Sequence, residues 1–129
     1  MRTDLRVVCT QNAPKAMGKY SQAIIADNLV FTSGQIGIDP STGKLDSGIK
    51  SQTERCLKNL DAILREAGSS IQQVIRCTLY ITDISRLKEI NEIYSRFFDM
   101  VDPPARVTVG VAALPLGAYV EIEAIARLD

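Results

Sequence analysis

The stretch Val74-Ile75-Arg76-Cys77-Thr78-Leu79-Tyr80-Ile81-Thr82 alternates in the two-residue period of a strand buried on one face. Ile75, Cys77, Leu79 and Ile81 are assigned to the core, and Arg76, Thr78, Tyr80 and Thr82 to the opposite face. On both sides of it the period becomes helical. Upstream, Ile49, Thr53, Cys56, Leu57, Leu60, Ile63, Leu64 and Ala67 fall three or four apart, and Gly68 stands where a C-terminal cap belongs. Downstream, Asp83 is the predicted N-cap of a second helix, whose buried stripe is Ile84, Leu87, Ile90, Tyr94, Phe97 and Phe98 and which ends before Asp102-Pro103-Pro104. A strand between two helices is the pivot of the fold.

Further strands are predicted over Leu5–Thr10, Ser21–Ala26 and Leu29–Ser33, the last two joined by a tight Asp27-Asn28 turn. Gln11–Lys19 reads as a loop and Asp39–Gly43 as a turn. Ala105–Val111 and Tyr119–Arg127 supply the final strands. Two helices can cover only one face of a sheet of roughly six strands, so the predicted fold is an α+β two-layer sandwich, one domain over residues 1–129. Val107, Val109 and Val111 are assigned to the core with Val120, Ile122 and Ala124. Arg106, Thr108 and Gly110 then fall on the uncovered face beside Tyr119, Glu121, Glu123 and Ile125, together with Thr78 and Tyr80. A half-apolar uncovered face in so small a domain predicts that another subunit buries it.

Composition narrows the chemistry. Of 129 residues 46% are hydrophobic and 23% charged, the balance of an ordinary globular chain. Fifteen basic residues offset 15 acidic ones, a poor electrostatic basis for nucleic-acid binding. No stretch is long and apolar enough for a membrane span or a signal peptide, and the expected location is the cytoplasm. Cys9, Cys56 and Cys77 are odd in number and widely spaced, which reads as reduced thiols and not as a disulfide or metal framework. Histidine is absent, excluding Ser-His-Asp and Cys-His catalysis and a His-liganded zinc.

Several residues could carry chemistry. Arg106, after the rigid Pro103-Pro104-Ala105, has the planar fork that grips a carboxylate, and equally suits an interface salt bridge. Glu121 and Glu123, two apart, emerge on one strand face and could orient water or face solvent. Tyr20 suits a ligand contact or an interface. At Thr32-Ser33-Gly34-Gln35 a glycine ends a strand, as a tight bend or a close ligand approach requires. Asn91 lies on the apolar stripe of the second helix, where its amide needs partners. Cys56 and Cys77 read as packing, and Lys15 and Lys19 as solvated loop lysines.

From about Thr10 to Arg127 the chain resembles the reactive-intermediate-deaminase family. The resemblance is carried by Gly18-Lys19-Tyr20-Ser21-Gln22, Thr32-Ser33-Gly34-Gln35-Ile36, Asp39–Gly43 and the helix Gln52–Gly68. Above all it rests on Pro104-Ala105-Arg106-Val107-Thr108-Val109, followed by Ala113-Leu114-Pro115 and Val120–Ala126. It implies a chorismate-mutase-like homotrimer with ligand clefts between neighbours. It also implies cofactor-free and metal-free hydrolysis of small 2-imino acids, 2-iminopropanoate and 2-iminobutanoate, to 2-keto acids and ammonia. By resemblance, Arg106 grips the substrate carboxylate and Glu121 places the attacking water. Tyr20, Ser33, Gly34, Asn91, Val107 and Thr108 line the pocket. The chain departs from the family at Thr108, where many members carry Cys, and at Lys19, where Pro is frequent. Relatives without activity, or described as endoribonucleases, leave a metabolite-binding trimer and an RNA-cleaving translation inhibitor as the competing functions.

Overall fold

The computed structural model describes residues 4–129. Its strands are β1 (Leu5–Val8), β2 (Ala23–Ala26), β3 (Leu29–Thr32), β4 (Gln35–Ile36), β5 (Ile38–Asp39), β6 (Lys44–Leu45), β7 (Val74–Ile81), β8 (Ala105–Gly110) and β9 (Val120–Arg127). Helix α1 (Ile49–Glu66) precedes β7, and α2 (Leu87–Phe97) joins β7 to β8. The main sheet runs β1-β2-β3-β9-β7-β8, with β4 continuing the line of β3 along β9, while β5 and β6 form a separate hairpin. All pairs are antiparallel except β7–β8, whose parallel pairing requires the crossover that α2 supplies. This is the α+β sandwich that the periodicities predict.

Helix α1 buries Ile49, Thr53, Cys56, Leu57, Leu60, Ile63 and Leu64 against β3, β4 and β9, and packs laterally on α2. Each fully buried Leu or Ile contributes about 1.5–3 kcal/mol relative to exposure. The helix stops as its sequence predicts. Gly68 takes the left-handed conformation (φ 88°), and the Ser69 and Gly68 N–H groups close on the Leu64 and Arg65 carbonyls at 2.8 and 3.1 Å. On the sheet side, Val30, Leu79, Ile81, Val120, Ile122 and Ala126 are fully buried.

Three local assignments are corrected. In β7, Val74 pairs with Ala126 and Arg76 with Ile125, so Ile75 is the extra residue of a bulge and is 43% exposed. Val74 takes its core place. In α2, Asp83 does cap, but it caps a 3₁₀ turn over Ile84–Arg86 through the Ser85 N–H, which leaves Ile84 exposed and starts the α-helix at Leu87.

The third correction bears on function. Arg106 pairs with Cys77 and Thr108 with Leu79, both core-side residues, so Arg106 and Thr108 point to the helix side. Val107 and Val109 lie on the uncovered face, 39% and 36% exposed, and Val111 falls beyond the strand. Alternation sets the period of a strand and not its phase, and an edge strand that overhangs the helices can present an arginine on the core side. The uncovered face is accordingly more apolar than expected. Val7, Ile24, Phe31 and Ile125 form a continuous cross-strand row on it. Among the described residues no helix is long and apolar enough to cross a membrane.

Between β4 and β5 the chain lies against α1 at Gly37, where a Cβ would stand 2.6 Å from the Gln52 Cα and 2.8 Å from its carbonyl oxygen. Both are backbone atoms that cannot rotate away. Gly37→Ala should therefore lose about 1–3 kcal/mol of stability in urea unfolding. An unchanged midpoint would show that the α1 contact is not rigid.

Candidate active site

The side chains singled out in the sequence gather into two clusters. The first forms at the break between β3 and β4. Phe31 pairs with Ile125 and Gln35 with Ile122, so three residues face two on β9 and the line bulges at Ser33-Gly34. The gap is stitched by side chains. The Ala124 N–H donates to Thr32 Oγ1 at 2.9 Å, and Ser33 Oγ donates to the Ser21 carbonyl at 2.6 Å. Gly34 lies directly against Glu121, and a Cβ there would come within 2.5 Å of its Oε2. Glycine is what lets the carboxylate rest on the strand break.

Burial pushes the Glu121 carboxyl above its ordinary range, and the neighbouring Glu123 charge pushes it further. Tyr80, paired directly opposite Glu121, donates its hydroxyl to Glu123 Oε1 at 3.4 Å. Tyr20 lies half-exposed in the preceding loop, its hydroxyl accepting from the Met17 N–H at 3.2 Å. It shares a groove with Ser33 and a small cavity of about 30 Å³ with Gly34. That loop is tied down by Gln22, which the sequence reading missed. Its buried amide accepts from the Thr10 N–H at 2.7 Å and donates to the Thr10 and Pro14 carbonyls at 3.1 and 2.9 Å. A glutamine beside a strand carries no mark of that role.

The second cluster sits between α2 and the edge strand β8. Arg106 Nη1 donates to Asn91 Oδ1 at 2.9 Å, and its guanidinium carbon lies 4.8 Å from the Tyr94 ring centroid. Thr108 is two residues further along the same side. The polar partner that Asn91 requires is thus the arginine itself. Among the described residues no carboxylate forms a salt bridge with Arg106. The helical period marks Tyr94 only as a core residue.

Within one chain the clusters do not meet, which corrects the placement of Arg106 and Glu121 on one surface. Arg106 is level with Cys77 and Ala124, whereas Glu121 is level with Tyr80, on the opposite face and two strands away. Strand spacing and rise separate their backbones by roughly 14 Å. Nor do the two buried thiols, Cys56 and Cys77, compete as nucleophiles. Burial pushes Cys77 up to about 11, and Cys56 higher still. Among the described residues no three His, Cys, Asp or Glu converge on a metal position.

Residues 10–128 match the family described as Endoribonuclease L-PSP. A RutC family protein of Aquifex aeolicus is 52% identical over 95% of this chain and 98% of its own length. The chain belongs to the RutC/RidA family. The human protein named 2-iminobutanoate/2-iminopropanoate deaminase is 44% identical over 94% of this chain and 88% of its own. A crystal structure of RidA from an Antarctic Psychrobacter superposes with a TM-score of 0.92 at 41% identity, covering 95% of this chain and 99% of that one. The RidA fold thus accounts for the two-layer architecture and for both clusters lying inside the matched region.

In this RidA-family chain the elevated Glu121 pKa has two causes that can be separated. Glu123→Gln removes the neighbouring charge and leaves burial in place. Carboxyl-carbon NMR should then show Glu121 titrating lower than in the wild type, still above an ordinary glutamate. No downward movement would mean that the two carboxylates do not interact.

Proposed function

We propose that the protein hydrolyses 2-imino acids to 2-keto acids and ammonia as a homotrimer, with each site assembled from the Arg106 cluster of one subunit and the Glu121 cluster of its neighbour. The observation that carries this reading is the pair of half-sites on opposite faces of one sheet. One offers a half-buried guanidinium already held by Asn91 and Tyr94 and not paired with a carboxylate. The other offers a desolvated carboxylate beside a glycine-lined break. The apolar uncovered face supplies a surface for association.

The chemistry suits these groups. Arg106 takes the substrate carboxylate through parallel hydrogen bonds, which fixes C2 of the protonated imine. Glu121 accepts a proton from water as its oxygen attacks C2. The resulting carbinolamine takes that proton on nitrogen and expels ammonia as its hydroxyl proton passes to Glu121 and on to solvent, leaving the keto acid. A glutamate of raised pKa suits both proton steps. Tyr20, Ser33 and Gly34 border the water, backbone groups around Val107 and Thr108 face the imine end, and Asn91 holds the arginine that takes the carboxylate. The human relative's name supports this assignment. The absence of histidine and the net charge of zero favour it over RNA cleavage. The free thiols suit a reducing compartment such as the cytoplasm.

The test generates the imine with a threonine dehydratase, adds semicarbazide as a competing trap, and follows keto-acid release. Wild type should accelerate release, while Arg106→Ala should lower kcat/KM about a hundredfold or more, through loss of a charged contact. Wild-type protein that binds 2-ketobutyrate without accelerating release would make it a metabolite-binding trimer. Salt-sensitive cleavage of RNA by pure protein would favour the nuclease.

Subunit mixing tests the shared site separately. Arg106→Ala and Glu121→Gln proteins should each be nearly inactive. After exchange at equal concentrations they should recover about one quarter of wild-type activity, since a quarter of the interfaces then carry both intact halves. A site contained in one subunit would recover nothing.

A further inference from the structure

We infer that Tyr94 is a positioning residue for Arg106, its ring face holding the guanidinium in the orientation that meets a ligand carboxylate. This rests on the reading of Arg106 as the carboxylate-binding group and extends it to a residue that reading does not include.

Asn91 and Tyr94 are three apart on α2 and therefore share one face of the helix. That face is turned to β8, where the two side chains hold Arg106 from different directions. Asn91 Oδ1 accepts from Nη1 at 2.9 Å at the edge of the guanidinium plane. The Tyr94 ring, 4.8 Å from the guanidinium carbon, lies within the range at which a cation is attracted to an aromatic face. A free arginine side chain samples many rotamers, and the entropy lost on binding an anion weakens the complex. With one edge on an amide and the cation against a ring, that entropy is lost on folding. The donors not taken by Asn91 remain for a ligand.

The ring is itself fixed. Tyr94 is 8% exposed and packs on Phe98 with centroids 4.4 Å apart and planes 34° from parallel. Its buried hydroxyl faces the Cys77 thiol, a weak hydrogen-bonding partner. A thiol partner leaves the hydroxyl little to contribute, and it is the ring that the guanidinium meets, so the ring and not the oxygen is the useful part. Phenylalanine should therefore serve where leucine does not. A residue that only fills the core would affect every ligand, or none, alike. A platform for the guanidinium affects those that carry a carboxylate.

The experiment compares wild type, Tyr94→Leu and Tyr94→Phe by calorimetric titration with 2-ketobutyrate and with its uncharged amide, alongside steady-state assay on the imino acid. Tyr94→Leu should weaken 2-ketobutyrate binding about tenfold and leave the amide unaffected. KM should rise with little change in kcat, because the carboxylate grip is the same in the ground and transition states. Tyr94→Phe should restore the lost affinity. A second measurement needs no variant: the Arg106 side-chain protons of the wild type should be shifted upfield by the Tyr94 ring current. Equal affinity of Tyr94→Leu and wild type for 2-ketobutyrate, or unshifted Arg106 protons, overturns the inference. Wild-type protein that does not bind 2-ketobutyrate overturns instead the reading of Arg106 on which it rests.

Discussion

β9 is held between two strands that are remote from it in the chain. β7 pairs along its length on one side, and the β3–β4 line pairs on the other. Both neighbours run antiparallel to it, so they run parallel to each other, and α1 makes the crossover between them. Once β9 is seated there, its core-side residues Val120, Ile122, Ala124 and Ala126 form the floor on which α1 packs. The alternate residues Glu121, Glu123 and Ile125 are forced onto the uncovered face. The register of this one strand places Glu121 opposite Tyr80 and against Gly34.

The edge strand β8 depends on the same arrangement at one remove. Its parallel register with β7 sets Arg106 beside Cys77 and beneath α2. There the guanidinium finds an amide acceptor and an aromatic face in place of a counter-charge. Glu121 is in the complementary condition, a carboxylate desolvated and crowded by a second one. Two opposite charges, each provided for locally and not by the other, sit on opposite faces of a sheet. The apolar row from Val7 to Ile125 lies on the face that carries the glutamate, the face that the proposed association would cover.

Much of this was legible in the residues. Helical period, Gly68 and the alternation of β7 and β9 describe local backbone preferences, and those survive into the fold. Arg106, Glu121, Tyr20, Ser33, Gly34 and Asn91 were all singled out, because a guanidinium, a carboxylate pair and a glycine at a strand end are chemically conspicuous. Tyr94 was conspicuous only as an apolar surface. Gln22 stands in the sequence only as the end of the Gly18–Gln22 stretch, since its role exists only once Thr10 and Pro14 are folded beside it. Ile75 was misplaced because a bulge breaks alternation without altering composition.

Apart from the two-residue strands β4, β5 and β6, the sequence by itself determined the element types and order, the two-layer class and the side chains available for chemistry. Each of these follows from interactions within a few residues along the chain. The tertiary structure alone decided the phase of β8, the pairing partners of β9, and hence that Arg106 and Glu121 face away from each other. Those depend on contacts between segments far apart in sequence. Alternation specifies that Arg106 and Val107 lie on opposite faces, and only the seating of β8 against β7 and α2 specifies which face is which.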